Sequence, residues 1–535
     1  MLLAEYVAHF LRLQGIHHVF GLPGGENVTL IEALRKAGID FVLFSHEATA
    51  GYAAEVTGQL TGKPGVCLST VGPGAVNLVA AAAAATLERS PMLAITADID
   101  STWPDRVAHM KLDLSRLFVS VSKGSFQLDP ESIEKTMASA WRLALTPPFG
   151  AVHLSLAPDL ALVPVTTKPS QITPMSWPVI SEEKMSVLQP LLSQAEKLII
   201  IAGLGVEAAG AHADLLILAE EWGTAVAVTP KAKGFFPESH SLFAGCFTAY
   251  GDAPLREAIA QADLVLGVGL DSVDFVTSTW DFETPVINLN LAGADDPALK
   301  PILALDGNLR DMLRRLATDE VYQKPRSGGA ELARSLRQSI ARQLHAPDGP
   351  HVADTIPIQK LIRGMQRALP AESAVTVDVG AFKLVFLQQW RVDRPKSLFV
   401  ANGLSAMGYA IPGALGIRLA QPDRPVLAIV GDGALLMYAG ELATVARLGL
   451  PLIILVVVDE ALSLIRLKQL RQGLPVYGTE IGRNDYSALA FAYGLEYRLI
   501  DGQENAQTIL EEALALTHPV LIEARITNSD YDRYR

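Results

Sequence analysis

Asp432 and Asp459 stand 27 positions apart, each at the end of an apolar run. The first run, Val426-Leu427-Ala428-Ile429-Val430, leads into Gly431-Asp432-Gly433. A stretch of helical pattern follows, Leu435 to Leu448. The second run, Pro451 to Val458, ends on Asp459 and Glu460. The order strand, turn, helix, strand sets both carboxylates at one edge of a parallel sheet. Strand ends beside a helix N-terminus are where α/β sheets hold phosphate. Two carboxylates there suit a magnesium-type cation that bridges protein to a diphosphate. Gly-Asp-Gly by itself is a common loop and decides nothing.

The N-terminal third holds a second acidic position. Phe41 to Phe44 has the pattern of a buried strand, and Ser45-His46-Glu47-Ala48-Thr49-Ala50-Gly51 opens a helix of small residues. A further strand, Gly65 to Thr70, runs into Val71-Gly72-Pro73-Gly74-Ala75-Val76-Asn77. A lone Glu at such a turn is ordinarily a helix N-terminal charge favoured by the helix dipole. Between the two regions lies Asn402-Gly403-Leu404-Ser405-Ala406-Met407-Gly408-Tyr409-Ala410-Ile411-Pro412-Gly413, which by itself reads as a Gly-rich helix start packed on a sheet.

In this order the three segments resemble those of thiamine-diphosphate enzymes. His46-Glu47, the run Thr61-Gly62-Lys63-Pro64-Gly65-Val66 and Gly72-Pro73-Gly74-Ala75 resemble the pyrimidine-binding domain of the acetolactate synthase group. The resemblance implies thiamine diphosphate and Mg2+ as cofactors. It makes Asp432, Asp459 and the Ala461 carbonyl the metal ligands. It makes Glu47 the catalytic group, a general acid/base acting on the aminopyrimidine of the cofactor. Met407 becomes the apolar wedge that bends the cofactor, and the Ser405 carbonyl an acceptor for the aminopyrimidine. Gly72, Val379, Ala381, Phe382, Gly431, Gly433, Ala434, Leu462 and Ser463 complete the implied cofactor contacts. The implied reaction is decarboxylation of a pyruvate-like 2-oxo acid, followed by joining of the remainder to a second carbonyl.

The substrate side follows the catabolic acetolactate synthases most nearly. Arg106 to Asp113 and Leu117 to Lys123 resemble their His-Gln-x-Met/Leu-Asp and Leu-Phe…Thr-Lys stretches, and Ile526 to Tyr531 resembles their ending. By this resemblance Gly24, His109, Met110, Leu464 and Lys468 face the substrate. Relatives carry Gln where this chain has Met110, and a thioether is only a weak acceptor. They carry Asn where it has Asp459, Met where it has Leu464, and Gln or Trp where it has Lys468. Lys468 is either a partner for a substrate carboxylate or a solvated helix lysine. His109 is either catalytic or a half-buried histidine without a task. Two alternatives therefore accompany the carboligase: a simple 2-oxo acid decarboxylase releasing an aldehyde, and a cofactor-binding homologue without catalysis.

The elements that must position these residues form an α/β fold with three doubly wound parallel-sheet domains. The chain has 535 residues, of which 50% are apolar and 19% charged, ample for several cores. The first domain, pyrimidine-binding, is expected over 1–164, and Pro164 to Ser181 reads as a linker. The central Rossmann-like domain is expected over 182–320. It opens on Leu198 to Gly205, with a helix expected from Ala208 to Trp222. Its Gly203-x-Gly205 lacks the third glycine and the ribose acid of a dinucleotide fingerprint, so a structural domain is expected rather than a FAD site. Val273-Asp274-Phe275 with Trp280 resembles the flavin-free synthases. Asp319 to Asp354 reads as a second linker containing a helix from Ala330 to Leu344. The diphosphate-binding domain is expected over 355–535.

A net charge of −13 argues against nucleic acid as a partner and against a basic membrane-surface mode. Two cysteines, Cys67 and Cys246, are too few for a disulfide framework. Met1 to Leu13 has the pattern of an amphipathic first helix and not of a signal peptide. No apolar run reaches the ~20 residues of a membrane span. A soluble cytoplasmic enzyme is expected. The family resemblance adds a homodimer or homotetramer with active sites at the subunit interface.

Overall fold

The structure is a computed structural model. It describes the chain except residues 105–107, 249–250, 276–281, 295, 323–325, 345–353, 503–504, 528–530 and 532–535. Arg106, Trp280 and residues 528–530 of the sequence reading lie outside the described residues.

Three six-stranded parallel sheets follow one another along the chain. The first holds β1 (His18–Gly21), β2 (Asp40–Leu43), β3 (Gly65–Ser69), β4 (Met92–Ala97), β5 (Ser125–Gln127) and β6 (Ala151–Leu156) in the order β2-β1-β3-β4-β6-β5. The second holds β7 (Leu198–Ala202), β8 (Val226–Val228), β9 (Phe243–Cys246), β10 (Leu264–Val268), β11 (Val286–Leu291) and β12 (Leu303–Gly307). Its order, β12-β11-β10-β7-β8-β9, is the Rossmann order. The third holds β13 (Ala374–Val377), β14 (Leu398–Val400), β15 (Val426–Gly431), β16 (Ile453–Val458), β17 (Glu496–Ile500) and β18 (Val520–Arg525), ordered β14-β13-β15-β16-β18-β17. Strand for strand, the first and third sheets have the same order.

Helices cover both faces of such sheets, so the central strands are apolar throughout. Every residue of β16, Ile-Ile-Leu-Val-Val-Val, is buried. Several boundaries differ from the sequence pattern for local reasons. The Leu435 to Leu448 stretch divides into helices Asp432–Met437 and Glu441–Leu448. The one expected from Ala208 is broken at Gly210, which adopts φ 61°, giving Gly205–Ala209 and His212–Trp222. The helix expected in the second linker, Gly329–Leu344, is anchored: Ala333 and Leu336 join the central-domain core and Ile340 and Leu344 the third.

The first and third domains share one apolar core. It contains Phe20, Val56 and Leu78 together with Leu415, Val430 and Val456. The contact is made by helices Glu47–Thr61 and Ala410–Ala420, which approach through small residues. A Cβ on Gly416 would lie 2.6 Å from the Ala53 carbonyl oxygen and 2.8 Å from Thr57 Oγ1; one on Gly413 would lie 2.9 Å from Val56 Cγ2. Among the described residues no helix is long and apolar enough to cross a membrane.

Because the helices meet backbone to backbone, Gly416→Val is expected to cost about 1–3 kcal/mol through overpacking. Urea unfolding of the purified variant measures it; an unchanged midpoint would show that the helices can separate freely.

Candidate functional site

Strand order reverses beside β1 and β3 in the first sheet and beside β13 and β15 in the third. In doubly wound sheets that crevice, outside the strand C-termini, is the ligand site. The residues singled out from sequence gather at these two crevices.

In the first crevice, Glu47 begins its helix after β2, with His46 as the N-cap: His46 Nδ1 accepts from the Ala48 amide at 3.0 Å. Glu47 is buried, and its Oε2 accepts from Asn77 Nδ2 at 3.0 Å. Its Oε1 faces Gly74, where a Cβ would come within 3.2 Å. Thr70 lies between: a Cβ on Gly74 would be 2.9 Å from Thr70 Cγ2, and one on Gly24 2.1 Å from Thr70 Oγ1. Gly72, at φ 63°, abuts Met110, whose own φ is 55°. Gly24, Glu47, Gly72 and Met110 are thus neighbours. Asn77, in the second turn of its helix, and Thr70, just past β3, belong with them; neither stood out in the sequence, because polar residues at such places are ordinary.

In the third-sheet crevice, Asp432 follows β15 and Asp459 follows β16, as their spacing requires. Asp432 accepts from the Gly433 amide at 2.7 Å and the Glu460 amide at 2.8 Å. Burial pushes Asp459 up to about 7, and the charge of Asp432 adds to the shift; hydrogen bonds from Ser463, the Ala461 amide and Tyr531 oppose it. Two buried carboxylates, both raised by burial and one further by the charge of the other, are the donor set a divalent cation relieves. Glu460, at φ 59°, turns the chain so that Ala461 bridges Glu480 in an antiparallel pair. The hydrogen bonds of that bridge, Leu462 N–H to Thr479 O and Ile481 N–H to Glu460 O, are made on either side of Ala461. Next to the carboxylates is an apolar cradle. A Cβ on Gly433 would meet Ile481 at 2.9 Å, Leu462 at 3.2 Å and Met407 Cε at 3.5 Å. The buried Ala434 and Ser463 flank it in sequence. The donor set and the cradle fit a metal-bound diphosphate with an apolar ring beyond it.

Val379, Ala381 and Phe382 come from the end of β13. Helix Ala381–Gln389 starts there, its N-terminus turned toward the crevice, and the Phe382 ring fills the space against Gly431, where a Cβ would lie 2.9 Å away. Asp378, just past the end of β13, organises the neighbouring segment. It accepts from the Gly408 amide at 3.0 Å and the Ala410 amide at 3.0 Å, fixing the chain just beyond Met407. Burial raises Asp378 to about 6. Ser405 adopts φ 54° and bonds through Oγ to the Asn402 carbonyl at 2.9 Å.

The remaining substrate-side residues are less gathered. Leu464 is half-buried against the third-domain core, and Leu462 takes the place beside Gly433 instead. Lys468 and His109 are exposed in the single chain. Among the described residues no side-chain hydrogen bond or ion pair engages either.

Within one chain Glu47 and the 402–404 segment lie at opposite ends of one helix. Helix Pro73–Leu87 has Glu47 at its first turn, and its far end meets the 402–404 segment that precedes Met407. A 15-residue helix is about 22 Å long. The central domain contributes neither group. Its Gly203-x-Gly205 is used for backbone packing: a Cβ on Gly205 would lie 2.6 Å from Gly269 Cα and 2.5 Å from Asn290 Oδ1. A cavity of about 370 Å³ lies at the three-domain junction, lined by Arg89, Leu204, Lys231, Asp271 and Lys396 among others. Arg89 spans its edge to pair with Asp271 at 2.6 Å.

Comparison with known proteins agrees with this arrangement. Residues 1–117 match the family described as "Thiamine pyrophosphate enzyme, N-terminal TPP binding domain", residues 186–316 its central domain and residues 378–524 its C-terminal TPP binding domain. The acetolactate synthase isozyme 1 large subunit of Escherichia coli is 29% identical over 98% of this chain and 93% of its own. The acetolactate synthase large subunit of Corynebacterium glutamicum is 30% identical over 84% of this chain and 73% of its own. The acetolactate synthase of Bacillus subtilis is 25% identical over 98% and 93%. With two strand-end crevices built as such a cofactor needs and all three domains matched in order, the chain belongs to the thiamine pyrophosphate enzymes, in the group of the acetolactate synthases.

Proposed function

We propose that the chain is a thiamine diphosphate- and magnesium-dependent carboligase of the acetolactate synthase type. It decarboxylates a pyruvate-like 2-oxo acid and joins the remainder to a second carbonyl compound. The observation that carries this reading is Glu47: a buried carboxylate with one oxygen fixed by Asn77 and the other facing a glycine. That geometry leaves Oε1 to hold and return a proton at the aminopyrimidine. Asp432, Asp459 and the Ala461 carbonyl hold the magnesium ion, and the helix start at Ala381 and Phe382 receives the diphosphate. Met407, Leu462 and Ile481 exclude water from the ring. Bound thiamine diphosphate supplies the electron sink that lets carbon dioxide leave. The names of the three relatives described above, acetolactate synthases, support joining over simple release. The acidic, cysteine-poor composition supports a cytoplasmic location.

Each active site is completed by a second copy of the chain, Glu47 of one facing Met407 and Asp432 of the other. The separation along helix Pro73–Leu87 supports this, and so do exposed apolar side chains beside both crevices. Val76 and Met110 flank Glu47; Leu436, Met437 and Ile465 flank Asp432. Such patches on one molecule are covered in a symmetric dimer.

With pyruvate, cofactor and magnesium, the expected product is a hydroxyketone acid; free aldehyde as the sole product would make the enzyme a simple decarboxylase. Glu47→Gln is expected to keep cofactor uptake, read by calorimetry, and to lower kcat about 10²-fold or more. Full turnover in that variant would remove Glu47 from the reaction. Mixing inactive Glu47→Gln and Asp432→Asn chains under subunit exchange is expected to restore activity, because half of the sites in a mixed dimer combine two unaltered halves. No recovery in verified mixed dimers would place both halves in one chain.

A further inference from the structure

Glu88 is buried at the C-terminal end of helix Pro73–Leu87, in the first domain. Its Oε1 accepts three successive amides of the third domain: Asn402 at 2.8 Å, Gly403 at 2.7 Å and Leu404 at 3.3 Å. Its Oε2 receives Lys231 Nζ of the central domain at 2.6 Å, and the same ammonium donates to the Glu88 carbonyl at 2.6 Å. Asp274, also central and buried, accepts from Asn402 Nδ2 at 3.1 Å through both its carbonyl and its Oδ1. Lys383 Nζ donates to the Ala401 carbonyl at 2.8 Å. Gly403 lets the segment reach the helix end, since a Cβ there would lie 2.2 Å from the Leu87 carbonyl oxygen.

Three consecutive amides converging on one oxygen form an anion nest, here filled by the protein's own carboxylate. The nest fixes the chain up to Leu404, and Asp378 fixes it again from Gly408. Only Ser405, Ala406 and Met407 span the interval, with Ser405 in the left-handed region that a serine seldom adopts. Those three are the residues that, on the proposed function, meet the aminopyrimidine and bend the cofactor. The diphosphate site at Asp432, Asp459 and Ala381 is outside the clamped span.

We propose that Glu88, neutralised by Lys231, is a positioning residue for the aminopyrimidine half of the cofactor, so that the central domain, through Lys231 and Asp274, sets the shape of a site it does not line. This rests on the cofactor reading above. It differs from a general stabilising role in one respect: it acts on the pyrimidine end of the ligand and not on the diphosphate end.

Calorimetry with magnesium, comparing thiamine diphosphate with inorganic diphosphate, separates the two. Glu88→Gln is expected to weaken thiamine diphosphate about tenfold or more while inorganic diphosphate stays within about twofold, because charged hydrogen bonds that shape only the pyrimidine loop are lost. The double variant Glu88→Gln/Lys231→Met, which removes both members of the direct ion pair, and Gly403→Ala, which leaves that pair intact, are expected to show the same selectivity. Equal weakening of both ligands, or of neither, in the folded variants overturns the proposal. Unaltered protein that binds inorganic diphosphate but not thiamine diphosphate overturns the cofactor reading instead.

Discussion

A short segment slung between two buried carboxylates governs the rest of the architecture. Glu88 grips it on one side and Asp378 on the other. Neither charge is tolerable in a protein interior without partners. Glu88 finds backbone amides and the Lys231 ammonium; Asp378 finds amides at Val379, Gly408 and Ala410. Each partner belongs to a particular element, so satisfying the two charges dictates how the sheets must be placed. The ends of β13 and helix Pro73–Leu87 have to converge on one loop, and the central domain has to lie close enough to lend its lysine.

The repeated strand order of the first and third sheets gives this placement its economy. Both sheets open the same crevice, but the residues there have diverged into complementary chemistry. The first crevice holds one buried carboxylate among glycines. The third holds a pair of buried carboxylates beside an apolar cradle. The packing of Gly413 and Gly416 on the Glu47 helix joins the two sheets through one pair of closely approaching helices.

Much of this was legible before any coordinates. A run such as Ile453 to Val458 has one plausible fate, a strand buried on both faces, and the residue at its end then has a known address. Hence Asp432, Asp459, Glu47 and the glycines around them fell where spacing put them. What was not legible depends on neighbours remote in sequence. Glu88 follows an alanine-rich helix and looks like any C-terminal cap; its role exists only because residues 402–404 come to meet it. Tyr531, near the chain end, bonds Asp459 across the domain. Leu464 and Lys468 have the helical spacing to share a face, but Leu464 packs on the third-domain core and it is Leu462 that approaches Gly433. The helix Gly329–Leu344 carries a charged, linker-like sequence, yet four of its apolar residues anchor it to two cores.

The single core shared by the first and third sheets has a consequence for biosynthesis. A ribosome releases the first domain long before the chain beyond Ala374 exists, and the whole central domain is made in between. Throughout that interval the small-residue face of the Glu47 helix is without its cover. Nascent chains with such uncovered apolar surface are the ones that stick to one another or engage chaperones. The central domain, with cores of its own, can complete its folding while the first waits. Order of synthesis and order of assembly therefore differ in this molecule, and the last strands to emerge are those that let the earliest ones settle.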